Sequence, residues 1–156
     1  MIRRALIPLA CLPFLAACVS SSVVRVSKDT AIVRVNADAD CDGNSAARAA
    51  QLQAAIETIR AGYDSYVVVD ANARDTTRVE RLPGGYETKT KASGNTYVTK
   101  TTYVPGRVVR SGSYEQVLEI KMFKGGGRNN DAISAREILG PRWQELVNKG
   151  KIDTCP

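Results

Sequence analysis

Several short segments of the chain alternate apolar and polar residues and are rich in β-branched side chains. Residues 30–37, 65–71 and 114–123 follow this pattern most closely, and each predicts a β-strand. The second segment contains three consecutive valines. Such a run is typical of a strand buried on both faces, so it predicts a central position in the sheet.

The segment between the first two strands has a helical period instead. Apolar residues recur at i, i+4, i+7 and i+11, namely Leu52, Ile56, Ile59 and Tyr63. Asn44 or Ser45 can cap a helix that runs to Ala61, and Gly62 suits the position after its last turn. A strand, a helix and a strand within about 40 residues predict a βαβ or split βαβ unit.

Residues 72–113 are poor in large aliphatic side chains and rich in Thr, Lys, Arg, Gly and Tyr. Alternation over 86–93 and 96–104, with Gly94-Asn95 between them, predicts a polar β-hairpin at about 86–104. Tyr and Thr side chains share one face of each strand, and lysines fall on the opposite faces. The sequences Pro83-Gly84-Gly85 and Pro105-Gly106 are expected to act as hinges on either side.

Two interpretations of this hairpin remain open. It is either a solvated edge whose lysines prevent aggregation, or a recognition arm whose tyrosines stack on a partner and whose free backbone edge accepts a strand. The candidate interaction residues are Tyr86, Tyr97, Tyr103, Lys89, Lys91 and Lys100.

The C-terminal region predicts two short helices. Asp131 is expected to cap the first, which ends at Leu139, and a second helix runs from Pro141 to about Lys149 with Trp143 as an anchor in the core. Residues 29–156 therefore predict a single α+β domain. Its mostly antiparallel sheet has about four or five strands, with one long helix packed on it and short C-terminal helices.

The N-terminus has the order of a secretory signal peptide: Arg3 and Arg4, an apolar run and small residues before Cys18. The apolar run is too short for a transmembrane helix, which needs about 20 residues. Leu15-Ala16-Ala17-Cys18 resembles the lipobox of bacterial lipoproteins. That resemblance implies cleavage after residue 17 and acylation (palmitate or a related chain) of Cys18. A signal peptide without a lipid is the alternative.

The same segment also predicts the cellular location of the protein. Residues 18–28 predict a short lipidated tether that holds the domain close to the membrane. By the same resemblance, Val19 in place of the Asp that often marks inner-membrane retention favours the outer membrane, facing the periplasm. A surface-exposed location remains open.

The four cysteines divide by position. Cys11 leaves with the signal peptide and Cys18 takes the lipid, so Cys41 and Cys155 remain in an oxidising compartment. They predict a structural disulfide, for which the chain-entropy model gives about 4–5 kcal/mol when the loop exceeds about 100 residues. Two free thiols or a redox pair are the alternatives, although a CxxC spacing is absent.

The residue inventory argues against an enzyme. The chain has no His, which excludes Ser-His-Asp hydrolysis, Cys-His catalysis and His-ligated zinc, and its carboxylates are scattered. It carries 22 Lys and Arg against 16 Asp and Glu, a net charge of +6, which falls to +4 once Arg3 and Arg4 are removed. No cofactor, catalytic residue or nucleic-acid partner is predicted.

Two glycine-containing segments partly match ligand-binding motifs. Asp38, Asp40 and Asp42 before Gly43 are similar to the start of a calcium loop, but the position of the bidentate Glu holds Ala49. A turn with local Asx bonds is the simpler interpretation, and cation binding stays open. The loop at 124–128 lacks the remainder of a phosphate-binding motif and predicts a flexible connection.

The first half of the chain carries a family resemblance. Cys41-Asp42-Gly43-Asn44 before an Ala-rich helix, and Gly62-Tyr63-Asp64 before a Val-rich strand, resemble a group of small bacterial cell-envelope lipoproteins of uncharacterised activity. The resemblance covers residues 15–75. It implies a lipid anchor and a compact α+β domain, and it carries over no catalytic residue.

The sequence thus predicts a membrane-anchored periplasmic lipoprotein that works as a non-enzymatic interaction or assembly module. We expect the hairpin at 86–104 to contact an envelope protein. The alternative is a lipoprotein that binds a small ligand, a glycan or a lipid headgroup. The sequence leaves the partner, the oligomeric state and the strand order undetermined.

Overall fold

The computed structural model describes residues 19–125, 131–153 and 155–156, so the predicted signal peptide, Cys18 and most of the loop at 124–128 lie outside the described residues. The elements are, in chain order, β1 Val19–Arg25, β2 Thr30–Asp38, α1 Gly43–Arg60, β3 Ser65–Asp75, β4 Arg78–Leu82, β5 Gly85–Ser93, β6 Thr96–Val104, β7 Arg107–Ser111, β8 Ser113–Phe123, β9 Ile133–Ser134, α2 Ala135–Leu139, a 3₁₀ turn Gly140–Arg142 and α3 Trp143–Lys149.

The body of the protein is a five-stranded sheet with strand order β1-β2-β8-β3-β9, and all its pairings are antiparallel. β8 lies between β2 and β3, which therefore run parallel to each other. Because α1 connects these two parallel strands, β2, α1 and β3 form a split βαβ unit. The predicted α+β fold with one long helix is confirmed.

The core lies between α1 and one face of the sheet. Alternate residues of β2, namely Ala31, Val33 and Val35, are fully buried, and Ile120 and Met122 of β8 are buried beside them. The intervening residues of both strands point to the other face, against which no helix of the described chain packs. The sheet is therefore covered on one side only, and this accounts for its alternating sequence.

Helix α1 is buried on more than its predicted apolar stripe. Ala49, Ala50 and Ala54 are fully buried, whereas Leu52 and Ile59 are only partly buried. The sheet covers one side of the helix and α2 and α3 cover another, and small alanine side chains let these neighbours approach closely. None of the helices in the described residues combines the length and apolar character needed to cross a membrane.

The predicted tether over 18–28 is wrong for most of its length. β1 begins at Val19 and pairs with the outer edge of β2, whose backbone groups would otherwise lack partners. Two side-chain contacts hold β1 on α1. The Ser21 hydroxyl donates to Gln53 at 3.1 Å, and the Arg25 guanidinium lies 2.5 Å from the Glu57 carboxylate.

The prediction that the Val-rich strand is central and buried on both faces is also wrong. β3 lies between β8 and the two-residue β9, so β8 is the central strand. Val67 and Val68 are half-buried, and Val69 is 60% exposed where a register shift separates Val68 from Asp70. Three valines in a row reflect this bulge on a one-sided sheet and not a second covering layer.

The first C-terminal helix starts later than predicted. Ile133 and Ser134 pair with the start of β3 as β9, and α2 begins at Ala135 with Ser134 in the N-cap position. Asp131 is therefore not the cap. The end of the second helix is as predicted, because Gly150 has a left-handed φ of 76° directly after Lys149.

A disulfide closes the body, as predicted. Cys41 and Cys155 are 114 residues apart in sequence and their Cα atoms are 6.1 Å apart. Gln53 adds a second attachment of the C-terminal segment. Its side-chain oxygen accepts from the Ile152 N–H at 3.0 Å, and its side-chain nitrogen donates to the Gly150 carbonyl at 3.2 Å.

Candidate functional site

The hairpin predicted at 86–104 is confirmed, and it is the outer part of a longer ribbon. The pairing of β3 with β8 continues without a change of register through β4 with β7 and then β5 with β6. It runs from Asp70↔Glu119 through Arg78↔Ser111 to Ser93↔Thr96. We call residues 76–113 the arm. At about 3.3 Å per residue, the arm is about 60 Å long along its strands.

The tip of the arm is a two-residue turn. Gly94 has a φ of 61° and precedes Asn95. Glycine with a positive φ at the first central position is the requirement of a type II′ turn, which matches the twist of the two strands. The turn therefore sets the pairing of the whole hairpin.

The ladder is interrupted where glycine and proline were expected to form hinges. A Cβ on Gly106 would lie 2.8 Å from the Leu82 carbonyl, so only glycine allows the two backbones this approach. Proline residues at 83 and 105 supply no N–H to the ladder. Motion at these positions stays a prediction. A second interruption lies at the base, where Gly112 has a φ of 97°.

One face of the hairpin is uncharged. Tyr86 lies opposite Tyr103, with their ring centroids 5.4 Å apart in an edge-to-face arrangement. Two threonine pairs continue this face toward the tip, each with its hydroxyls 3.0 Å apart, namely Thr88 with Thr101 and Thr90 with Thr99. Tyr97 follows opposite Ala92 and lies about 20 Å from Tyr103 along the strand. The structure thus brings two of the three predicted tyrosines together and leaves the third near the tip.

The other face of the hairpin is basic. Lys89 lies directly opposite Lys100, and Lys91 is opposite Val98, so the three predicted lysines share one face. The nearest acid is Glu87, whose carboxylate lies 3.1 Å from the Lys89 ammonium while both side chains stay more than half exposed. Like charges directly opposite each other destabilise a strand pair. This arrangement lowers the stability of the hairpin and contributes nothing to the core.

The arm is also exceptional in exposure and charge. Every residue of β4 and β6 is exposed, and the exposed residues include large side chains such as Tyr86 at 78% and Tyr97 at 76%. Residues 76–113 contain seven Lys and Arg against two Glu. The net charge of the arm is therefore +5, compared with +6 for the whole chain. No residue from 69 to 113 belongs to the core of the described chain.

The acidic residues at the base of the arm do not form an acid–base pair. Asp75 lines a concavity of about 260 Å³ and accepts the Thr77 N–H at 2.8 Å, which lowers the pKa of its carboxyl. Glu115 lines the same concavity but lies 3.2 Å from Arg34. Asp70 is exposed opposite Glu119. A general acid at neutral pH needs a raised pKa, and Asp75 has the opposite shift.

The acidic turn before α1 has a structural function. Asp42 is the N-cap residue, and its carboxylate accepts the Ser45 N–H at 2.6 Å, which lowers the pKa of Asp42. This local bond is of the predicted Asx type. Within the described ranges, no group of three or more His, Cys, Asp or Glu side chains could hold a metal ion.

Sequence reasoning missed the inner half of the arm. β4 and β7 are short, and Pro and Gly at their ends conceal their alternation. The pairing of Lys89 with Lys100 could have been predicted from the sequence. A two-residue turn at Gly94-Asn95 places Ser93 opposite Thr96, and this register fixes every other residue pair of the hairpin.

Comparisons of the chain with protein-family models, with curated proteins and with solved structures found no match. The resemblance to small envelope lipoproteins therefore stays a prediction from the sequence, and the arm is the candidate functional site on structural grounds alone.

Proposed function

We propose that this protein is a lipid-anchored, periplasm-facing envelope protein without enzymatic activity, and that the arm is its contact surface. The observation that carries the proposal is the arm itself: a ribbon about 60 Å long that is exposed on both faces and adds nothing to the core.

The energetics of the arm support a binding role. Ordering a residue costs roughly 1–2 kcal/mol of backbone entropy, and an isolated two-stranded ribbon recovers little of this in water. The tyrosines on one face of the arm, and Val98 and Val108 on the other at 58% and 60% exposure, leave apolar surface without a partner on both faces. Apolar surface of this kind is characteristic of interaction sites.

Two features support the remaining parts of the proposal. The segment Leu15-Ala16-Ala17-Cys18 supports the anchor, with Cys18 as the acylated residue. The absence of His supports a non-enzymatic role, and the lowered pKa of Asp75 argues against this carboxyl as a general acid at neutral pH. Under this proposal the body carries the arm and the lipid holds both at the membrane.

Removal of the arm tests the proposal. Replacing residues 78–111 by Asn-Gly joins Thr77 to Gly112 through a two-residue turn and keeps the register of β3 with β8. We expect this variant to keep its Cys41–Cys155 disulfide and an unfolding midpoint close to that of the full chain, and to lose its contacts in the membrane fraction.

Contacts are measured by photocrosslinking in cells from Tyr97 and Tyr103, each replaced by a photoreactive residue. Lys28 is the matched control, because it is exposed but lies at the opposite end of the sheet from the arm. Repeated capture of one component from both tyrosines, and not from Lys28, supports the contact role. Equal capture from all three positions would contradict it.

The anchor is tested separately by metabolic labelling with palmitate. The full chain should take up label and sediment with membranes, and Cys18→Ser should do neither. Labelling that persists in Cys18→Ser would place the acyl group elsewhere and refute this part of the proposal.

A further inference from the structure

The anchor and the arm lie at the same end of the sheet. β1 begins at Val19, which is opposite Ala37 of β2, and Ala37 is opposite Tyr114 of β8. Tyr114 is in turn opposite Asp75, the last residue of β3 before the arm. Val19 and the base of the arm are three strand spacings apart, about 14 Å.

This end of the sheet lies close in sequence to Cys18, the residue proposed to carry the lipid. Cys18 directly precedes Val19 in the sequence, so no linker residue separates the proposed acylation site from β1. If Cys18 is acylated, the membrane surface lies against the end of the sheet from which the arm emerges. Residues 19–25 form β1 and not the predicted flexible tether, so they do not allow the body to rotate freely away from the membrane.

The arm cannot enter the bilayer at this end. It carries seven Lys and Arg, and charged side chains are strongly disfavoured at the centre of a membrane. The ladder is interrupted at Gly112 and at Gly84 and Gly106, and we expect the ribbon to change direction at these glycines. The arm continues β3 and β8 beyond the end of the sheet that faces the membrane. Because it starts beside the membrane and cannot cross it, we expect it to bend and lie along the surface.

We propose that the arm lies on the membrane that holds the lipid anchor, with its basic face against anionic phospholipid headgroups. This inference rests on the proposed function and names the partner of the arm. Charge complementarity supports it: Lys89, Lys91 and Lys100 share one face with Val98, and they line an open concavity of about 550 Å³. In this orientation the uncharged face with Tyr86, Tyr97 and Tyr103 points away from the headgroups.

The test uses the purified full-length protein with vesicles of phosphatidylcholine alone or mixed with phosphatidylglycerol. A photoreactive residue replaces Thr102, which is exposed on the basic face opposite Glu87, or Lys28 at the far end of the sheet. We expect phospholipid adducts from position 102 in the anionic vesicles, few in the neutral vesicles, and few from position 28 in either. Salt at about 1 M, where the Debye length is about 3 Å, should suppress the adducts.

Charge variants sharpen the test. Combined Lys89→Gln, Lys91→Gln and Lys100→Gln should lower the adduct yield from position 102 at least tenfold, since each lysine near an anionic surface contributes about a fivefold factor to binding. The matched control removes three lysines at the far end of the sheet, namely Lys28→Gln, Lys121→Gln and Lys124→Gln, and should leave the yield within about twofold, since these positions lie beyond the Debye length from the arm.

Three results would overturn the inference. The first is an equal yield of phospholipid adducts from positions 102 and 28, and the second is a yield that does not depend on headgroup charge or salt. The third is that position 102 forms adducts only with protein in native membranes. Failure of the anchor is a different result. The mass of the N-terminal peptide shows whether Cys18 is acylated, and the vesicles report the binding of the arm with or without that acyl group.

Discussion

The body and the arm use the same kind of strand and place its side chains in opposite environments. Val33 of β2 and Val98 of β6 both lie in alternating, β-branched segments, yet Val33 is fully buried and Val98 is 58% exposed. The difference lies in the second layer, because α1 covers one face of the body sheet and no helix of the described chain packs on the hairpin. Alternation thus predicts a strand, whereas burial depends on what packs on it.

The two regions also differ in how their polar groups are used. In the body, Gln53 is 3% exposed and forms hydrogen bonds with three residues in two segments of the chain, Ser21 in β1 and Gly150 and Ile152 near the C-terminus. In the described arm, polar side chains pair with near neighbours within the ribbon, as the threonine pairs and Glu87 with Lys89 do. Removing a polar group should therefore be costly in the body and nearly neutral in the arm.

The largest effect is expected from the disulfide that closes the body. The double change Cys41→Ala with Cys155→Ala opens a 114-residue loop and should lower the free energy of unfolding by about 4–5 kcal/mol. Denaturant titration measures this. If the body owed its stability to the arm instead, the arm-deleted protein would lose as much, and the contrast between the regions would fail.

The next effect concerns Gln53. Gln53→Ala leaves the Ile152 N–H and the Gly150 carbonyl without their partner. It should cost about 2–4 kcal/mol, since a buried group left unsatisfied costs about 1–3 kcal/mol and the Gly150 carbonyl, which is only partly buried, costs less. Gln51→Ala on the exposed side of α1 is the matched control and should change stability by less than about 0.5 kcal/mol. Equal losses in the two variants would show that the contacts of Gln53 carry no special weight.

A pH-dependent effect separates a buried tyrosine from an exposed one. Burial raises the pKa of Tyr66 to about 12, and its hydroxyl donates to the Gln51 carbonyl at 3.3 Å. An unfolded tyrosine titrates near pH 10, so this contribution to stability is complete below about pH 10 and is lost as the pH rises to about 12. The loss is about 2–3 kcal/mol at 1.36 kcal/mol per pKa unit.

Tyr66→Phe and Tyr97→Phe test this in matched proteins. The free energy of unfolding should fall less steeply between about pH 10 and 12 in Tyr66→Phe than in the unmodified protein, because Phe has no proton to lose. Tyr97→Phe should follow the unmodified protein. A slope that is the same in all three would contradict the burial effect at Tyr66.

The smallest effect is expected in the hairpin. Lys100→Glu places opposite charges across from each other at Lys89 and should stabilise the hairpin by about 0.2–1 kcal/mol, while Thr102→Glu opposite Glu87 should destabilise it. Hydrogen exchange of the hairpin amides measures both changes. The amides of β2 and β8 should exchange at unchanged rates, and a shift there would mean that the arm and body unfold as one unit.

The same contrast explains which expectations were met. The hairpin could be predicted because Gly94 and Asn95 specify a turn through a few adjacent residues, and the end of α3 could be predicted because Gly150 alone can adopt the left-handed conformation there. The tether failed because nothing near Val19–Arg25 indicates that β2 has a free edge. The central position of β3 failed because three valines look alike in a buried strand and in a bulge.

Local sequence was enough for the alternating strands, the long helix, the tip of the arm and the pairing of the last two cysteines. These features depend on residues a few positions apart or, for the disulfide, on elimination among four cysteines. The strand order, the joining of β1 to β2 and the placement of Val19 beside the base of the arm came from pairings between residues far apart in sequence. Such pairings depend on which edges and layers are free when the whole chain is folded, and this information is not local.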